Sequence, residues 1–200
     1  MKQSRSVLVL AALLATLSWP CIAPAQPANP TAVRPMQLSA FGGVSGVSTG
    51  LAGGKNFSIT AGADLALPPW RGIRPALEVR GVYPTDRGLV DSQKSIAGGL
   101  KVETLLNHRI HPYGDFLFGR GEMNYYLGDY PFNGFDYYLS TTNIYSVGGG
   151  LDYDLTDQLS LKVDGQIQRW GAAPTNSGVV NPVLGTVGIV YRFGFDRHIY

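Results

Sequence analysis

The chain has 200 residues, 44% of them hydrophobic and 15% charged, with a formal net charge of +2 and one cysteine. That length suits a single domain, and so slight a charge gives no electrostatic case for a nucleic-acid partner. A lone cysteine excludes a disulfide scaffold.

At the N-terminus, basic Lys2 and Arg5 precede an apolar run over 7–17 and the small-residue site Ala23-Pro24-Ala25. This order is that of a secretory signal peptide, expected over 1–25 with cleavage after Ala25. The apolar run is too short for a spanning helix, and no later stretch approaches the roughly 20 apolar residues that one requires. Cleavage would remove Lys2, Arg5 and Cys21, leaving no net formal charge and no thiol nucleophile. Residues 26–36, with Pro27, Pro30 and Pro35, show no periodicity and read as a disordered lead-in.

Strand-like alternation then begins. Residues 37–46 place Leu38, Ala40, Gly42 and Val44 on one face, and a Gly/Ser/Thr loop over 47–55 follows. Residues 56–66 set Phe57, Ile59, Ala61, Ala63 and Leu65 against Asn56, Ser58, Thr60, Gly62 and Asp64. Pro68, Pro69 and Gly72 turn the chain. Residues 74–83 place Leu77, Val79, Gly81 and Tyr83 opposite Glu78 and Arg80, before a loop over 84–94. Residues 95–105 set Ile96, Gly98, Leu100, Val102 and Thr104 against Ala97, Gly99, Lys101 and Glu103. After a short turn at 106–111, residues 112–122 form a strand of ambiguous phase: Asp115 lies on one parity, Arg120 and Glu122 on the other. A bulge is one way to reconcile them.

The longest connection spans 123–142 and holds the aromatics Tyr125, Tyr126, Tyr130, Phe132, Phe135, Tyr137 and Tyr138. Residues 143–155 then set Tyr145, Val147, Gly149, Leu151 and Tyr153 against Ser146, Gly148, Gly150, Asp152 and Asp154. Thr156-Asp157-Gln158 is a tight turn. Residues 159–170 oppose Leu161, Val163, Gly165 and Ile167 to Ser160, Lys162, Asp164, Gln166 and Gln168. A loop over 171–182 leads to the last strand, 183–193, where Val183, Gly185, Val187, Ile189, Tyr191 and Phe193 share a face and Arg192 lies on the other.

These eight strands, several about 11 residues long, match the roughly 9 to 11 residues of a tilted membrane-crossing strand. The longer connections follow the odd strands. That pattern fits an even-stranded barrel with short periplasmic turns and longer outside loops. A soluble sandwich also alternates, with its apolar face inward. Three features favour the inverted barrel. Polar faces carry both charge signs on neighbouring strands, aromatics (Tyr83, Tyr145, Tyr153, Tyr191) cap the apolar faces as a membrane girdle does, and the last strand ends in alternating apolar and aromatic residues. The expected fold is all-β: an eight-stranded antiparallel up-and-down transmembrane β-barrel over 37–195, with a tail at 196–200.

On this pattern, carried by residues 37–193, the chain resembles the OmpA-type eight-stranded outer membrane β-barrel family. The resemblance implies residence in the cell outer membrane, contact with its lipid, and recognition of the last strand by the barrel-assembly machinery during biogenesis. Val187, Ile189, Tyr191 and Phe193 match the spacing of that assembly signal, although the family's aromatic is usually the final residue.

Eight strands enclose only enough space for side chains. Asp64, Glu78, Arg80, Lys101, Glu103, Asp152, Asp154, Lys162, Asp164 and Arg192 are therefore expected to meet inside as ion pairs, plugging the lumen. No catalytic residue, metal ligand or cofactor is expected. His108 and His111 flank a turn and read as solvated, and His198 lies in the tail. Gly148-Gly149-Gly150 lies within a strand and is not a phosphate loop. The aromatic connection reads either as a contact surface for an extracellular ligand or as a hairpin prolonging its flanking strands, the latter being the simpler. The expected role is structural, adhesive or surface-interacting, against a narrow channel or solute conduit, and more remotely a lipid-modifying enzyme.

Overall fold

The computed structural model describes residues 36–85, 91–104, 106, 109–125, 130–171 and 173–194. The expected signal peptide, nearly all of the lead-in, the tail, His108, His198 and Tyr126 lie outside the described residues. Ten strands follow in chain order: β1 (Gln37–Ser48), β2 (Lys55–Ala66), β3 (Ile73–Pro84), β4 (Asp91–Thr104), β5 (Ile110–Tyr125), β6 (Tyr130–Phe132), β7 (Phe135–Tyr137), β8 (Leu139–Asp154), β9 (Leu159–Trp170) and β10 (Val183–Arg192). Eight of them close a barrel in the order β1-β10-β9-β8-β5-β4-β3-β2, every neighbouring pair antiparallel. The short β6–β7 hairpin stands between β5 and β8 as a separate ribbon.

The barrel is inverted relative to a soluble protein. Phe57, Ile59, Val79, Leu100, Val147, Val163 and Ile189 point outward and are exposed, while Glu78, Arg80, Lys101, Asp152 and Lys162 are buried inside. Exposing that much branched apolar surface to water would be costly; in hydrocarbon it is the favourable arrangement, and closure leaves no unpaired strand edge in the bilayer. Aromatics ring both ends of the outer wall. Phe118 and Tyr145 pack at 5.2 Å near the loop end, and Tyr191 and Phe193 meet edge-on at 5.1 Å near the end carrying the termini.

Several boundaries differ from expectation. The strand expected at 112–122 runs from Ile110 to Tyr125 without a bulge: Tyr113, Asp115, Leu117, Gly121, Met123 and Tyr125 point inward, Arg120 and Glu122 outward. Both charges share the lipid-facing parity but lie past the apolar belt, because this strand of 16 residues exceeds the roughly 10 needed for the bilayer. Glu122 is paired there with Lys94 at 2.7 Å. For the same reason β4 begins at Asp91, inside the expected 84–94 loop, and β8 at Leu139, inside the expected 123–142 loop. Beyond the bilayer both faces meet water or loop, so the polarity pattern that marks a strand fades while its hydrogen bonds continue. Asn133-Gly134 turns the β6–β7 hairpin with positive φ at both residues (52° and 80°), a type I′ arrangement matched to strand twist.

The seam between the first and last strands pairs Gly43 with Gly188 on the inner face. A Cβ at Gly188 would collide with the Gly42 carbonyl oxygen and the Gly43 Cα. Because the obstacle is backbone, it cannot swing aside. Gly188→Ala is expected to cost about 1–3 kcal/mol, as overpacking does. It would show as a smaller compact fraction on an unboiled denaturing gel.

Candidate functional site

Within the wall, the inward positions stack in layers. The middle layer centres on Arg80, whose Nε donates to Glu78 Oε1 at 2.7 Å. Its Nη1 and Nη2 donate to Asp164 Oδ1 and Oδ2 at 3.0 and 2.8 Å, a bidentate fork that fixes geometry as well as charge. Asp115 lies 3.5 Å from the same guanidinium. Tyr113 donates to Asp164 Oδ2 at 3.0 Å. Gln166 donates to both oxygens of Asp115, and Ser146 Oγ donates to Gln166 Oε1 at 2.8 Å. Four strands (β3, β5, β8 and β9) thus contribute to one network.

Towards the terminus end, Lys101 Nζ sits 3.1 Å from Asp64 Oδ2 and 3.2 Å from Asp152 Oδ2. Lys162 Nζ lies 3.7 Å from Asp152 Oδ1. The Tyr113 ring takes both ammonium groups over it, Lys101 at 4.1 Å and Lys162 at 4.0 Å from the centroid, and Phe41 takes Lys162 and Arg80. Aromatic faces supply part of the solvation that burial removes. At the rim, Asp154 accepts from Arg192 Nη1 and Ser160 Oγ, both at 2.7 Å. The i, i+2 repeats Glu78/Arg80, Lys101/Glu103, Asp152/Asp154 and Lys162/Asp164 place these groups, because alternate residues of a strand share a face.

His111 is not the solvated turn residue expected. It belongs to β5, with Nδ1 3.0 Å from Glu103 and Nε2 2.8 Å from Asp154. It points inward because β5 starts before Pro112, one residue ahead of the expected turn's end. Ser160 Oγ donates to Asp154 rather than to this imidazole, so the cluster lacks the hydroxyl–imidazole bond that activates a serine. Among the described residues no group of His, Cys, Asp and Glu is arranged to hold a metal ion.

Towards the loop end the filling changes character. Ser45, Thr60 and Thr186 share hydroxyl hydrogen bonds across the seam. Beyond them Leu117, Met123, Tyr125, Ile144 and Trp170 are buried together with Leu51, Ala173 and Val180, which descend from the first and last loops. Polar filling thus continues toward the loop end in Asn56, Ser58, Thr60, Gln93 and Gln168, but that end is also closed by an apolar cap that a wholly polar lumen does not include. Tyr125, expected as a surface aromatic, is 1% exposed in this cap. Tyr130 and Tyr137 of the hairpin pack on its ring, at 5.7 and 6.4 Å. They turn inward because odd parity on β5 carries Tyr125 over the barrel mouth, where it offers the hairpin an apolar seat. Phe135 and Tyr138 remain exposed and Phe132 is half-buried. Val187, Ile189, Tyr191 and Phe193 all lie on the outer wall.

Comparison with known families finds no matching family model, and comparison with curated proteins finds no match. Solved structures do match in fold. Neisserial surface protein A aligns with a TM-score of 0.54 at 18% identity, over 80% of this chain and 97% of its own. A de novo designed transmembrane β-barrel aligns with a TM-score of 0.47 at 17% identity, covering 80% of this chain and 98% of its own. Ail of Yersinia pestis, in complex with the heparin analogue sucrose octasulfate, aligns with a TM-score of 0.47 at 13% identity, over 80% and 99%. The fold is that of the eight-stranded outer membrane β-barrels.

Proposed function

We propose that this chain resides in the cell outer membrane as a closed barrel with a structural, adhesive or surface-interacting role, and that it neither conducts solutes nor catalyses a reaction. The observation that carries this reading is the filled lumen. The Arg80–Asp164 fork and its neighbours occupy the middle, and the Leu51–Trp170 cap occupies the loop end. The loop platform is then the part presented outward, with Phe135 and Tyr138 exposed on its hairpin as contact residues for a ligand or surface. Aromatic side chains suit such contacts because they bury much area at little entropic cost. Barrel lipid and, during biogenesis, the assembly machinery are the partners this reading implies.

The test is single-channel recording on the purified mature protein in planar bilayers, with folding verified by unboiled gel mobility. A flat trace from folded barrels is the expected result; discrete, reproducible conductance steps would promote the conduit instead. A lipid-product assay on the same preparation is expected to stay at background, and turnover there would replace the reading with an enzymatic one.

A further inference from the structure

On the outer wall near the loop end, a groove of about 600 Å³ crosses β2, β3, β4 and β5. Its floor follows from the sheet register. Gly42, Ala61, Gly81, Ile96 and Arg120 are successive cross-strand partners along one row of the outer face. Ala61 and Gly81, two small residues side by side in this row, leave a depression that Ile59, Tyr83 and Ile96 border. A Cβ at Gly81 would meet nothing closer than 3.8 Å, and Gly81 has no positive φ. Neither sterics nor backbone conformation thus calls for glycine there, and its effect is to keep the groove open.

The end of the groove is charged. Lys94, Arg120 and Glu122 line it, and Lys94 is engaged by Glu122 at 2.7 Å. Arg120 has no carboxylate partner among the described residues, nor has Arg169, which faces outward two strands away beside Tyr145. Lys55 also faces outward at this level. Among the described residues the outward charge at the rim is therefore net positive where the apolar belt stops, the depth at which lipid headgroups lie. The volume is that of a small-molecule site, and its long apolar floor ends at the Arg120 guanidinium, which matches phosphate in its donor geometry.

We propose that this groove is a lipid site: it seats an acyl chain on the Ala61–Gly81 floor and holds the lipid's phosphate headgroup with Arg120, assisted by Lys94. The proposal rests on the reading of the chain as a membrane barrel. The lipid is recognised by two chemistries at once, a chain that fills the depression and an anion that neutralises the rim. A lipid without a phosphate, such as a diacylglycerol, satisfies only the first.

The test uses the full mature barrel in detergent, with native mass spectrometry reading retained lipid. The probes are dioleoyl phosphatidic acid, dioleoylglycerol and inorganic phosphate. Wild type should retain one phosphatidic acid in preference to the diacylglycerol. Arg120→Gln should weaken retention about fivefold, the effect of one basic residue at a membrane surface. Gly81→Leu, which fills the groove, should weaken it at least as much. Val163→Leu on β9, across the barrel, should leave it unchanged. Equal retention by wild type, Arg120→Gln and Gly81→Leu would overturn the site, as would equal retention of phosphatidic acid and diacylglycerol by wild type. Displacement of the lipid by inorganic phosphate alone would also overturn it, since the chain would then contribute nothing. Heat-modifiable mobility of wild type in phosphatidylcholine vesicles is scored separately. Its loss overturns the membrane reading, whereas its presence with unselective lipid retention overturns the groove alone.

Discussion

Arg80→Ala should lower the stability of the barrel by about 3–5 kcal/mol, the cost of removing one member of a buried ion pair. Arg80 is 4% exposed, and its guanidinium serves Glu78, Asp164 and Asp115. Without it these carboxylates lose their common counter-charge within a space that holds few alternatives. Among the described residues Glu78 Oε2 already has no hydrogen-bond partner. Reversible unfolding in detergent micelles would measure the loss. The double variant Arg80→Ala/Asp164→Ala should be less destabilised than the sum of its singles, because removing both ends leaves less uncompensated charge. A water-filled lumen gives the opposite result: additive losses below about 1 kcal/mol, as for exposed pairs.

Ile189→Arg should cost about 2–4 kcal/mol, the penalty for a cation near the middle of the lipid face. Ile189 is half exposed on the outer wall, level with Gly42 and Leu161 of the neighbouring strands, and remote from the charged rim. Its side chain therefore has no cationic or anionic neighbour to soften the change. The control is Thr186→Ser, three positions away and inward. It keeps the hydroxyl that meets Ser45 at 2.8 Å and removes only a methyl, so its cost should stay near 1 kcal/mol or less. Membrane fractionation with unboiled gels compares the two. Equal folded fractions would mean that the outward face had been misassigned.

The faces of β2 and β9 were legible because their inward positions are mostly polar, as in Asn56, Ser58, Thr60 and Asp64, and those of β3 and β8 because charged pairs such as Glu78/Arg80 and Asp152/Asp154 mark the inward parity. Period two then suffices. Legibility failed where that contrast weakens. On β5 the inward set passes from Asp115 to Leu117, Met123 and Tyr125, while Arg120 and Glu122 face out beyond the bilayer, so polarity reverses sign along one strand. The apolar cap was hidden for the same reason. Leu51 and Val180 sit in loops with no periodicity, and only closure brings them onto Trp170 and Ile144. Partner choice inside the lumen was beyond local pattern as well. Glu78 and Arg80 are neighbours on one strand, but the fork to Asp164 spans 84 residues and depends on how the barrel closes. His111 was misplaced because Pro112 reads as a turn residue, whereas it occupies an early position in β5.

The β1–β10 seam also governs how fast the protein can form. Ser45 and Thr186 are hydrogen-bonded across 141 residues of chain. Bringing such distant segments together costs about 4 kcal/mol of loop-closure entropy before any seam contact compensates it. The other pairings join consecutive barrel strands, so hairpins can zip early while the seam waits for the last strand. Until then β1 and β10 each present a bare ladder of amide and carbonyl groups, the edges through which sheets aggregate. The slow step and the hazardous one coincide, so a catalyst of folding would act most effectively by holding those two strands.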